Sequence, residues 1–254
     1  MAGLTKQTTI DGKTEKGPIA IFAIDTNLKV LRSNSLSLPS TVGAIDSSKF
    51  NFNIKSIIPT NNGGLVLAGF LNERRINNPN RTFGTNAFVA LLDKNFRLQW
   101  LKKTTTLVSS SNILEQLFTI EDAEVDVSGG YVYVIGKYSG RHAFDQFRLP
   151  TFDSSKGSGP YGVTFLAKLD TFGNVIWTFS TSPINIPSGV QTTDDLALDS
   201  LRNVYFCGQY ENSLIVGPDS NKAFGSTDIF LAKVSDLSLR RDTNLAEAYC
   251  AGDS

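Results

Sequence analysis

The chain has 254 residues, 41% of them hydrophobic, which is enough for a sizeable core in one large domain or two small ones. Its 24 Lys and Arg balance 24 Asp and Glu, which argues against a nucleic-acid binder and against a polybasic membrane-surface protein. Its apolar runs have the length of single strands, far short of the roughly 20 residues of a membrane-spanning helix, and residues 1–18 contain no apolar signal-peptide core.

Residues 1–18 read as a polar arm with at most one strand, over 8–11. Residues 19–24 and 28–34 follow as two apolar strands about a polar turn that opens at Asp25. The next hairpin is of another kind, NFNIKSIIPTNNGGLVLAGF over 51–70. Its second strand recurs as VYVIGKY over 132–138 and VYFCGQY over 204–210. The first kind of hairpin recurs as AFVALLDKNFRLQWLKK over 87–103 and VTFLAKLDTFGNVIWTFS over 163–180, and begins again at residue 229.

Asp25, Asp93, Asp170 and Ser235 are therefore equivalent, with spacings of 68, 77 and 65 residues. Gly69, Gly136 and Gly208 are equivalent as well, with spacings of 67 and 72. Each unit holds two hairpins, and the length differences fall in loops. Helix-like patches occur only at 111–118 and 244–249.

Alternation places Val175, Trp177 and Phe179 on one strand face, and Trp100 stands at the place of Trp177. The two tryptophans are expected to pack between successive sheets. Strands such as LVLAGF are apolar on both faces, as in sheets covered on both sides. The expected fold is all-β, a β-propeller-type stack of four-stranded antiparallel blades with about three and a half repeats.

GSTDIFLAKV (225–234), FLAKLDTFGNVIW (165–177) and DLALDSLRNVYFCGQY (195–210) together resemble the bacterial SBBP-type β-propeller repeat. The resemblance implies a half-blade at 19–35 and blades at about 51–103, 121–180 and 194–241, between the arm and a tail at 242–254. It also implies an extracellular, cell-surface or virion setting and no defined catalytic residue. The acidic loop of that repeat survives here as Glu121-Asp122 and Asp194-Asp195.

No residue pattern commits the chain to catalysis, a cofactor or a metal. Gly157-Ser158-Gly159-Pro160-Tyr161-Gly162 matches a G-x-G-x-x-G string, but it leads into a strand rather than opening a phosphate-binding helix. Asp25, Asp93 and Asp170 read as turn acceptors rather than a carboxylate ring. Two short acidic pairs lack the spaced ligand loop of a calcium site. The lone histidine, His142, reads as a solvated loop residue near Asp145, and Asn80-Arg81-Thr82 as a chance glycosylation sequon. Cys207 reads as a small buried hydrophobe, with no disulfide to Cys250.

These observations lead to the expectation of a non-enzymatic scaffold that binds protein partners, within a larger cell-surface or virion assembly. The alternative is a lectin-like module that stacks glycans on Tyr138 and Tyr210. Three and a half blades leave open ends, so association with a second copy, another subunit or further repeats is expected. The competing arrangement is a four-bladed ring completed by the arm or by residues 245–254.

Overall fold

The structure, a computed structural model, describes residues 7–16, 19–36, 50–74, 82–107, 117–126, 128–150, 162–181, 191–235 and 246–249. The described residues form twenty β-strands and no helix. The arm forms a complete hairpin, β1 (Gln7–Ile10) and β2 (Lys13–Lys16), where one strand was expected. A second hairpin follows, β3 (Ile19–Ile24) and β4 (Val30–Leu36).

The first large sheet is built from β5 (Phe50–Pro59), β6 (Leu65–Arg74), β7 (Thr82–Leu92) and β8 (Leu98–Thr106), each antiparallel to the one before. The next stretch supplies β9 (Phe118–Val125), β10 (Tyr131–Tyr138), the short β11 (His142–Phe144) and β12 (Phe147–Arg148), then β13 (Val163–Asp170) and β14 (Val175–Ser180). The second sheet takes β9, β10, β13 and β14. The β11–β12 hairpin instead pairs with β8, through His142 opposite Thr106 and Phe144 opposite Thr104, so the first sheet has six strands.

The last stretch gives β15 (Gln191–Leu198), β16 (Val204–Tyr210), β17 (Ser213–Val216), β18 (Asp219–Lys222), β19 (Asp228–Val234) and β20 (Ala246–Tyr249). β15, β16, β19 and β20 make the third sheet, and β17–β18 stand apart as a two-stranded hairpin.

Sheets of two to six strands thus replace the uniform four-stranded blades expected from the repeat, and no described sheet closes into a barrel. The helix-like patch at 244–249 is a strand where it is described. β20 pairs with the free edge of β19, Leu231 opposite Tyr249, and ladder hydrogen bonds override a weak helical preference. The patch at 111–118 lies outside the described residues up to 116; Phe118 opens β9.

Three apolar layers hold the sheets in succession. In each large sheet one face, here the near face, meets the preceding element, and the far face meets the following one. Ile19 and Leu36 of the β3–β4 hairpin pack with near-face Leu67, Phe88 and Ala90 of the first sheet. Far-face Val66, Ala68 and Val89 of the first sheet pack with near-face Val134, Phe165 and Ala167 of the second. Far-face Tyr133, Ile135 and Leu166 of the second sheet pack with near-face Phe206, Phe230 and Ala232 of the third. Each fully buried aliphatic or aromatic side chain contributes roughly 1.5–3 kcal/mol.

The recurrent glycine has a backbone cause. β5, β9 and β15 each carry a bulge opposite it, at 54/56, 120/122 and 193/195. The bulged strand swings its carbonyl over the glycine. A Cβ at Gly69, Gly136 or Gly208 would lie 2.0, 1.9 or 2.0 Å from the carbonyl oxygen of Asn53, Thr119 or Thr192.

Candidate interaction surface

The register makes the three sheets comparable residue by residue. Ala68 opposite Val89, Ile135 opposite Leu166 and Cys207 opposite Leu231 are the same cross-strand pair, each one step from the recurrent glycine. The first two pairs are fully buried by the next sheet. The third is not: Leu231 is 50% exposed and its neighbour Ile229 64%. Cys207 is half-buried rather than buried, and burial, then Asp195 and Asp194, push its thiol pKa up.

The same contrast holds beside the pair. Lys168 of the second sheet is buried with its Nζ 3.8 Å from the Tyr131 ring centre and 5.2 Å from that of Tyr133. Its equivalent, Lys233, places Nζ 5.5 Å from Tyr205 with both residues half-exposed. The far face of the third sheet has the composition of a buried sheet face and nothing over it among the described residues.

A row of carboxylates runs along the edge strands β9 and β15. The bulge residues of successive sheets adjoin: Lys55 Nζ lies 2.9 Å from Glu121 Oε2, and Asp122 Oδ2 accepts the Leu196 N–H at 3.1 Å. Burial, then a hydrogen bond to Asp195, raises the pKa of Asp122, and burial, then Asp122, raises that of Glu124. Asp194 and Asp195 end this row, exposed at the rim of the third sheet. Among the described residues, no group of three or more His, Cys, Asp and Glu could hold a metal ion. No described helix is long and apolar enough to cross a membrane.

The other sequence candidates are dispersed through the frame. Asp25, Asp93 and Asp170 each accept two backbone N–H groups of their own turn through Oδ1, at 2.8–2.9 Å. They are turn acceptors, as the sequence indicated. Asp199 repeats the arrangement, and Asp126 accepts from Gly130 and Tyr131; neither was singled out from the sequence. Arg202 was missed as well. It leads from the β15–β16 turn back to Asp126 at 2.8 Å and links the third sheet to the second.

His142 is a correction. It is fully buried in β11, edge-on to Phe118, with Nε2 2.7 Å from the Ser139 carbonyl. Nδ1 has no hydrogen-bond partner among the described residues, and burial lowers the imidazole pKa. The β11–β12 hairpin carries it onto the edge of β8, a pairing that local sequence does not announce.

Tyr138 and Tyr210 are also corrected. Both are buried, and the Tyr138 hydroxyl donates to Pro150 O at 2.9 Å, its pKa pushed up to about 12 by burial. Neither ring is available to stack on a sugar, so the lectin reading loses the aromatics that carried it.

The tryptophans do stand at equivalent places, Trp100 opposite Leu91 and Trp177 opposite Lys168. Trp177 is buried between the second and third sheets. Trp100 is half-buried, donates to Thr171 O at 2.8 Å and lies over Gly173, where a Cβ would meet its ring at 2.7 Å. Arg32 takes the same place one element earlier, donating to Lys94 O and lying 4.3 Å from the Phe96 ring centre. Residues 157–161 of the glycine string, Asn80 and Arg81 of the sequon, and Cys250 lie outside the described residues.

No family model matches this chain, and neither does any curated protein sequence.

Proposed function

We propose that this protein is a non-enzymatic scaffold of propeller-type repeats, akin to the SBBP type, that binds a protein partner through the far face of its third sheet. One observation carries the reading. A cross-strand pair that is buried twice by the following sheet is presented a third time with nothing over it among the described residues, Leu231 and Ile229 being exposed. Leaving such aliphatic area in water forgoes roughly 25 cal/mol per Å² that a partner recovers. The carboxylate rim orients that partner and excludes acidic ones, because like charges set against each other raise the cost of the wrong pairing.

The candidate chemical groups are absorbed by the frame. His142 is packed among aromatic rings, and the turn aspartates each accept two backbone N–H groups of their own turn. A setting at a cell surface or in a virion is part of the same proposal, and rests on the repeat resemblance.

The test compares proteins retained by the immobilised full chain from extract of its source cells. Ile229→Glu with Leu231→Arg should lose a defined retained protein that wild type and Gln99→Arg both keep. Equal retention by all three would exclude this face as the binding surface.

A further inference from the structure

Building on that scaffold reading, we propose that the occupant of the third sheet's far face is a second copy of this chain, docked head to tail through its β1–β4 end. The chain already contains the required interface twice. In both instances a far-face pair, Ala68 with Val89 or Ile135 with Leu166, is covered by the near face of the next element. Cys207 with Leu231 is the same pair without that cover among the described residues.

What it needs is a near face, and the β3–β4 hairpin has one that no large sheet covers among the described residues. Counting back from the turn aspartates, Ala20, Phe22 and Ile24 stand at the places of Phe88, Ala90 and Leu92 and of Phe165, Ala167 and Leu169. Among the described residues the β1–β2 hairpin lies against this face, through Ser33 to Glu15 at 2.6 Å and Val30 N–H to Asp11 at 3.1 Å. Ile24 remains 47% exposed, and Leu31 beside it is exposed as well.

Charge favours this pairing over a face-to-face one. Residues 191–235 carry six carboxylates against three cations, while residues 7–36 carry four cations against three carboxylates. Two third sheets set face to face would oppose their acidic rims. Head-to-tail docking sets the acidic rim against the more basic end. Such a contact is heterologous, so it builds a ring if its rotation closes and a filament if it does not.

Sedimentation velocity of the full chain across the micromolar range tests this with two variants at exposed positions. Leu231→Arg disables the far face, and Ile24→Asp disables the near end. Wild type should assemble, and each variant alone should associate at least about tenfold more weakly. An equimolar mixture should recover a dimer, because each copy keeps the surface that the other has lost. Circular dichroism establishes that the variants are folded, and Ile229→Glu replaces Leu231→Arg if the latter is not.

A wild type that stays monomeric overturns the second-copy proposal. The scaffold reading would still stand if the retained protein of the binding experiment is lost with Leu231→Arg. Association that is lost in Leu231→Arg but unchanged in Ile24→Asp, with no recovery on mixing, overturns the head-to-tail geometry in favour of face-to-face pairing.

Discussion

The second and third sheets are built on one plan and meet different surroundings. Both carry the bulge, the glycine opposite it, a phenylalanine across from that glycine and the Lys–Tyr stack beside it. Among the described residues the second is covered on both faces and the third on one. The backbone devices are therefore internal to a sheet, whereas the energetic weight of a far-face side chain depends on its neighbour. That distinction can be broken or sharpened by substitution.

The largest contrast is expected at Leu166 and Leu231. Leu166→Ala removes a fully buried side chain between the second and third sheets and should cost about 2–5 kcal/mol. Leu231→Ala, at the same place in the third sheet, should cost less than about 1 kcal/mol in the dissociated chain. Urea denaturation midpoints decide it, and equal losses would mean that the far face of the third sheet is covered.

The glycines should behave in the opposite way. Gly136→Ala and Gly208→Ala force the same collision with a bulge carbonyl and should destabilise alike, by about 1–3 kcal/mol each. A cost confined to Gly136 would show that the bulge is not an internal property of the sheet.

A smaller effect is expected from His142, whose folded pKa lies below the ordinary value of about 6.5. The unfolded chain takes up the proton first, so its stabilising balance is complete above that value and is lost as pH falls below it toward the folded pKa. Asp122 and Glu124 act in the opposite sense, because their raised pKa values favour the folded state as it takes up protons on acidification. The difference between wild type and His142→Leu isolates the histidine. Wild type should lose stability relative to the variant below about pH 6.5, by at most about 1.4 kcal/mol per pH unit. Parallel pH profiles would place the imidazole in solvent.

The smallest effect is a gain. Leu28 is exposed with φ 63° at the turn place that Gly173 fills with φ 82°. Leu28→Gly should stabilise by up to about 1 kcal/mol by relieving left-handed strain, measured as a raised thermal midpoint. Gly173→Ala, beneath Trp100, should do the reverse.

The repeat was legible because its marks are local. An aspartate that opens a turn, alternating apolar residues and a glycine at a fixed place each answer to neighbours within a hairpin. They were enough for the antiparallel all-β frame, the equivalence of Trp100 with Trp177, and the turn role of Asp25, Asp93 and Asp170. Asp126 and Asp199 open the turns of the other kind of hairpin, with Gly129 and Arg202 at their left-handed places, and the aspartates themselves do not recur at the matching place of the first such hairpin, which holds Thr60.

Where the misreadings fell, the deciding contact was distant in sequence. His142 looked like a loop residue because the edge of β8 that receives it lies 36 residues upstream, at Thr106. Tyr138 looked available because the Pro150 carbonyl and Ser180 that hold its hydroxyl belong to other segments. Residues 246–249 looked helical because only the free edge of β19 makes them a strand.

The sequence by itself determined the hairpins, their turns and their period, since these depend on side chains and backbone groups a few residues apart. Only the tertiary structure decided which strand edges were extended, which polar groups were buried and which of three equivalent faces the other described residues leave open. Burial is a property of what lies opposite a residue, and the chain brings that neighbour from far away in sequence.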